Sequence, residues 1–179
     1  MMKLIYFTAM LASLLLLSCN SEPSLQKYFV EKSENKDFVA IDVSPSIINV
    51  DKAKLTPEQK TALESFDKMN ILAFKLDDKN KTQYEVESKK LTQILKGEEY
   101  QELMKVGSGK DGASISFVGD EDDIDEFILF GKKKDNGFAV VRILGNDMNP
   151  NNIMNMISIL QSANIDMDQL KPLEALMKK

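Results

Sequence analysis

The chain has 179 residues with 28 acidic and 23 basic side chains, a formal net charge of −5, a single cysteine, no histidine and no tryptophan. The acidic balance excludes a nucleic-acid footprint, because phosphates call for a basic surface. The missing histidine removes Ser-His-Asp and Cys-His nucleophile systems, histidine zinc sites and imidazole base catalysis, and one cysteine leaves no internal disulfide.

At the N-terminus, Lys3 precedes an apolar run from Leu4 to Leu17, and Ser18-Cys19 follows at once. The run is too short to span a bilayer, which takes roughly 20 apolar residues, and has the layout of a cleaved export leader. Leu16-Leu17-Ser18-Cys19 resembles the lipobox of bacterial lipoproteins, with Leu17 bulkier than the usual residue at its place. That resemblance implies a diacylglyceryl thioether on Cys19 and cleavage on its amino side. Palmitate-type acyl chains then make the membrane contact. Two or three chains hold firmly where one is marginal, at about 0.8 kcal/mol per buried methylene. Residues 1–18 are expected to be signal peptide, 19–26 a lipidated tether containing Pro23, and 27–179 a single domain. Asn20 stands where aspartate signals inner-membrane retention in families that sort lipoproteins. The expected address is therefore the outer membrane, facing the periplasm. The acidic body offers no electrostatic docking on anionic lipid, so the acyl chains alone carry attachment.

Phe38-Val39-Ala40-Ile41-Asp42-Val43 is β-branched and aromatic and stops at Ser44-Pro45, which predicts a strand. Thr56-Pro57-Glu58-Gln59 is a helix start with a capping box, and Ala62, Leu63 and Phe66 follow on one face. Ile71 to Leu76 predicts a second strand. Tyr84, Leu91, Ile94 and Leu95 mark a helix that Gly97 ends, and Tyr100, Leu103 and Met104 suggest one or two further helical turns. Ala113–Val118, Phe127–Phe130 and Phe138–Leu144 then alternate as three hairpin strands, separated by charged, glycine-flanked loops. The second and third of these strands are apolar on both sides, which calls for helices over one face and partial cover on the other. After Gly145, Asn149 caps and Pro150 opens a helix carrying Ile153, Met156, Ile157 and Leu160. A last short helix around Pro172 carries Leu170, Leu173, Leu176 and Met177. The class is α+β, a mostly antiparallel sheet with helices packed on one face.

Three local features bear on chemistry. In the acidic run Asp120 to Glu126, Asp120 and Asp122 have calcium-loop spacing, but Ile124 occupies the third ligand position and Asp125 the glycine position. A solvated hairpin turn is the favoured reading and a cation site the alternative. Gly107-Ser108-Gly109-Lys110-Asp111-Gly112 fails as a phosphate loop, since Met104 and Asp111 stand where glycine and Ser/Thr are required. It reads as a turn. Met154, Met156 and Met167 read as core, with an adaptable groove for a partner or lipid as the alternative.

Several stretches together resemble the small Gram-negative lipoproteins grouped as domain of unknown function 4252. They are Phe38 to Pro45, Ile71-Leu72-Ala73-Phe74, Tyr100-Gln101-Glu102-Leu103-Met104, and the hairpin block running into Ile143-Leu144-Gly145-Asn146-Asp147-Met148. The resemblance spans Leu25 to Met177 and departs at Asn49-Val50-Asp51-Lys52, which is more polar than expected. It implies a lipid-anchored envelope domain and transfers no catalytic residue. Cys19 is the one site residue assigned; no catalytic residue, metal site or cofactor is. The expected role is a non-enzymatic module attached to the membrane through lipid on Cys19. It would bind an envelope protein or ligand and no nucleic acid. The alternative is a carboxylate-dependent periplasmic hydrolase, which needs two carboxylates meeting in one cleft with a shifted pKa.

Overall fold

A computed structural model describes residues 23–47, 55–109 and 111–162 of the chain. Cys19 and its leader, the stretch Asn49-Val50-Asp51-Lys52, Met167 and the expected helix around Pro172 lie outside the described residues.

Helix α1, Leu25–Lys32, opens on Ser24, whose Oγ accepts the Lys27 N–H at 3.3 Å. Leu25, Tyr28, Phe29 and Lys32 fall at i, i+3, i+4 and i+7, one face of a 3.6-residue period, and all are buried. Leu25 and Gln26, within the stretch expected to be tether, therefore belong to the fold. Strand β1 is Phe38–Val43. Helix α2, Pro57–Glu64, has the expected capping box between Thr56 and Gln59 but ends before Phe66, which instead starts strand β2, Phe66–Lys75. Helix α3, Lys81–Ile94, buries Tyr84, Leu91 and Ile94 as expected. The turns expected to be helical around Tyr100 to Met104 are instead strand β3, Gln101–Ser108, because the first hairpin strand supplies ladder partners from Gln101 onward. A bulge at Leu103 breaks its register. Strands β4 (Asp111–Asp120), β5 (Asp123–Lys133) and β6 (Gly137–Met148) follow, then helix α4, Pro150–Ser162. Asn149 caps α4 as read, its side chain accepting the Asn151 and Asn152 N–H groups.

The six strands form one antiparallel sheet in the order β1-β2-β6-β5-β4-β3. Strand alternation sends consecutive side chains to opposite faces, and both faces bury a core. Ile41, Ile71, Phe127 and Ile143 point to the face covered by Ala62 of α2 and Ile153, Met156 and Ile159 of α4. Phe38, Leu72, Phe74, Ile128, Phe130 and Val140 point to the face covered by α1 and α3. The class is α+β as expected; the partial cover foreseen on the second face is a full pair of helices. Two-sided burial demands it, because strands apolar on both faces leave neither for water.

On the α1/α3 face, Phe38, Phe74, Phe138 and Tyr84 form an aromatic knot with ring centroids 5.1 to 6.3 Å apart. Such pairs each add about 0.5–1.5 kcal/mol beyond the area they bury. Polar ties fix the two helices to each other: Glu87 accepts from Lys32 Nζ at 2.7 Å and from Tyr28 Oη at 3.0 Å, and Lys90 Nζ bridges to Glu31 at 2.9 Å. Burial and the Glu87 carboxylate push the Tyr28 phenol well above the usual tyrosine range. Burial opposes the Lys32 ammonium, but bonds to Glu87 and Glu31 outweigh it and raise its pKa.

Candidate functional site

The cover over the α1/α3 face ends before the sheet does. Pairing places Gly107, Gly112 and Lys132 in one row across β3, β4 and β5, then Lys105, Ser114 and Phe130, then Glu102, Ser116 and Ile128. On β3 and β4 these rows offer glycine, serine or a charged side chain where the inner strands offer Phe and Ile. With no bulk to lift, the helix layer leaves a cleft of about 340 Å³ between this floor and the last turn of α3. Thr92, Leu95 and Lys96 form the wall.

Among the described residues Lys96, Lys105 and Lys132 line the cleft, with Glu102 as its one acidic residue. Lys105 Nζ lies 3.3 Å from Glu102 Oε2. The side chains of Lys96 and Lys132 have no ion-pair partner among the described residues. A cationic hollow in a chain of net charge −5 is set against the background charge, and low-dielectric walls concentrate its field.

Ser116 is the most informative residue of the floor. The residue is only 4 % exposed, and among the described residues its hydroxyl has no protein hydrogen-bond partner. The oxygen is not sealed off, so it faces the open space of the cleft. An oxygen open to the cleft bonds water in the free protein and can exchange it for a group that enters. Thr92, by contrast, turns its hydroxyl back to its own helix and donates to the Ser88 carbonyl at 2.7 Å.

A second hollow of about 300 Å³ lies on the same sheet face beyond α1, near Asp42, Asn70 and Arg142. Its charge is spent internally. Arg142 gives Glu126 two parallel bonds, Nε to Oε1 at 2.6 Å and Nη2 to Oε2 at 2.8 Å, bonds Gln26, and lies 5.4 Å from the Phe29 ring. Asn70 donates to Asp42.

The features singled out in the sequence are scattered. Asp120 to Asp123 form the exposed β4–β5 turn, but Ile124 and Glu126 of the same run are buried, and Glu126 belongs to the Arg142 pair. Among the described residues no group of three or more acidic, cysteine or histidine side chains is placed to hold a metal. Gly107 and Gly109 adopt positive φ in the β3–β4 turn, and Gly107 and Gly112 become cleft floor. Met156 is core and Met154 is exposed. Ser114, Ser116, Lys105 and Lys132 were not singled out. The available signal was the alternation of serine with Ile115 and Phe117, a polar face on a strand followed by two strands apolar on both faces.

A family model described as "Domain of unknown function (DUF4252)" matches residues 28–156, and the chain belongs to that family. No curated protein and no solved structure matches the chain.

Proposed function

We propose that this member of the DUF4252 family is a lipid-anchored envelope module that binds a ligand through the cleft between α3 and strands β3 to β5. The carrying observation is the Ser116 hydroxyl, open to a cleft that Lys96, Lys105 and Lys132 line. A small floor, a buried donor–acceptor and convergent positive charge suit a carboxylate- or phosphate-bearing group. Binding rather than turnover is favoured by how the acids are used. The cleft's one carboxylate is bridged to Lys105, and the buried carboxylates Glu87 and Glu126 are held in ion pairs elsewhere. For the anchor, the support is the apolar leader ending at Ser18-Cys19, with Asn20 favouring the outer membrane and the lone Glu22, in place of an acidic cluster, favouring its periplasmic side.

Two experiments test the two halves. Backbone amide shifts are followed while succinate is added. Shifts should centre on Ser114, Ser116 and Lys132 and weaken in Ser116→Ala; changes spread over surface lysines instead would defeat the cleft as a site. Cys19→Ser should move the protein from the membrane fraction to the soluble one. Unchanged processing and membrane retention would defeat the anchor.

A further inference from the structure

Strand β3 ends the sheet, and nothing among the described residues covers it. Every residue from Gln101 to Gly107 is exposed, and three of the six exposed large apolar side chains among the described residues, Leu103, Met104 and Val106, sit here. Its outer row of backbone N–H and C=O groups has no strand partner, because β3 pairs with β4 alone. An open, apolar edge eight residues long is a template for another strand. This edge also borders the cleft: Glu102, Lys105 and Gly107 belong to both.

Resting on the cleft as the binding site, we infer that its ligand is an extended peptide segment that adds to the sheet as a strand beside β3. The register prescribes its chemistry. On the α1/α3 face β3 presents Lys105, and beyond it the glycine lane Gly107–Gly112 leads to Lys132 with no side chain in the way. On the opposite face β3 presents Met104 and Val106, which pair with Ile115 and Ala113 of β4. Side chains of an added strand alternate between those two faces. The segment therefore alternates acidic residues, directed to Lys105 and along the glycine lane to Lys132, with apolar residues laid on Met104 and Val106. Main-chain bonds supply general affinity in this mode and the alternation supplies selectivity.

The test uses the full-length protein in detergent and three probes: a capped seven-residue peptide alternating glutamate and valine, the same peptide N-methylated at alternate residues, and succinate. The plain peptide should bind and slow hydrogen exchange of the outward-facing amides of residues 101–108. N-methylation, which removes the ladder donors, should weaken binding about tenfold or more, a cost of about 1.4 kcal/mol. Lys105→Glu should weaken the glutamate peptide and favour a lysine–valine peptide instead. Lys105 is well exposed, so the variant keeps its fold, with exchange at β2 and β6 as the check. If succinate binds while the peptides bind no better and β3 exchange is unchanged, strand addition is wrong and the cleft reading stands. If neither succinate nor peptide binds, both fall.

Discussion

The buried pair Glu126–Arg142 offers the sharpest energetic test of the fold. Both side chains are nearly sealed, at 12 % and 7 % exposure, and the guanidinium is the chain's only arginine. Its planar fork matches the carboxylate with two parallel bonds, while Gln26 takes a third donor and the Phe29 ring lies beside its face. Glu126→Leu keeps most of the volume but strands a buried cation, a loss of about 3–5 kcal/mol. Adding Arg142→Met removes the stranded charge and should return stability to within about 1 kcal/mol of the parent, or above it, since apolar replacements of buried pairs are often neutral or stabilising. Arg142→Lys is the milder probe, because an ammonium cannot form both bonds; about 1.5–3 kcal/mol should be lost. Urea unfolding at pH 7, followed by far-ultraviolet circular dichroism with a constant m-value, measures all three. A loss below about 1 kcal/mol in Glu126→Leu, or no recovery in the double variant, would mean that the pair is hydrated and that Glu126 is free for other chemistry.

Gly137→Ala should cost about 3 kcal/mol or more, because φ is +123° and the new Cβ would lie 1.9 Å from the Phe74 carbonyl oxygen; an unchanged melting temperature would refute the close approach of β2 and β6 there. Ser116→Ala should change the stability of the unliganded protein by less than about 1 kcal/mol while weakening succinate binding, and an unchanged succinate affinity would remove the hydroxyl from the site. Burial pushes the Tyr100 phenol up to about 12, against a bond from the Leu25 N–H that pulls the other way, and Tyr28 is raised further. A raised folded-state pKa means that the stabilisation is complete below the unfolded value near 10 and is lost as pH climbs through the folded value. Stability should hold to about pH 10 and then fall by about 1.4 kcal/mol per pH unit for each such tyrosine, with a shallower slope in Tyr100→Phe; equal slopes would sink the assignment.

Local rules recovered those elements whose own residues carry the signal. Thr56 and Gln59 write a capping box that needs no tertiary help, and Asn149-Pro150 starts α4 as read. The β5–β6 hairpin is legible because strands buried on both faces are apolar throughout. β3 was not, since Tyr100, Leu103 and Met104 have helical spacing, and only pairing with β4 decides against a helix. Phe66 shows the same competition: it shares an apolar cluster with Ala62, but from the start of a strand rather than the end of a helix. The cleft was invisible for a third reason. Lys96, Lys105, Ser116 and Lys132 are ordinary surface types along the chain, and only the register aligns them, with glycine rather than bulk between them.

A lipid anchor on Cys19 would constrain the orientation of the cleft through α1. The Leu25 N–H is held by the Tyr100 hydroxyl at 3.1 Å, and Tyr100 adjoins the start of β3, where Gln101 Nε2 reaches the Gly119 carbonyl at 2.8 Å. The beginning of α1 therefore sits at the end of the sheet that bears the acidic Asp120–Asp123 turn. Gly107, Gly109 and Gly112 of the cleft lie at the opposite end of β3 and β4. A lipid on Cys19 would be only six residues from Leu25, at most about 20 Å of extended chain. It would tie the acidic end towards the bilayer and leave the lysine-lined end facing away. Anionic headgroups would then repel the near end, so the domain would stand off the surface instead of lying on it. With such an anchor the open edge of β3 and the cleft would face the aqueous side. Inserting a long flexible linker after Ser21 should leave peptide affinity unchanged; a large loss would mean that the bilayer itself forms part of the site.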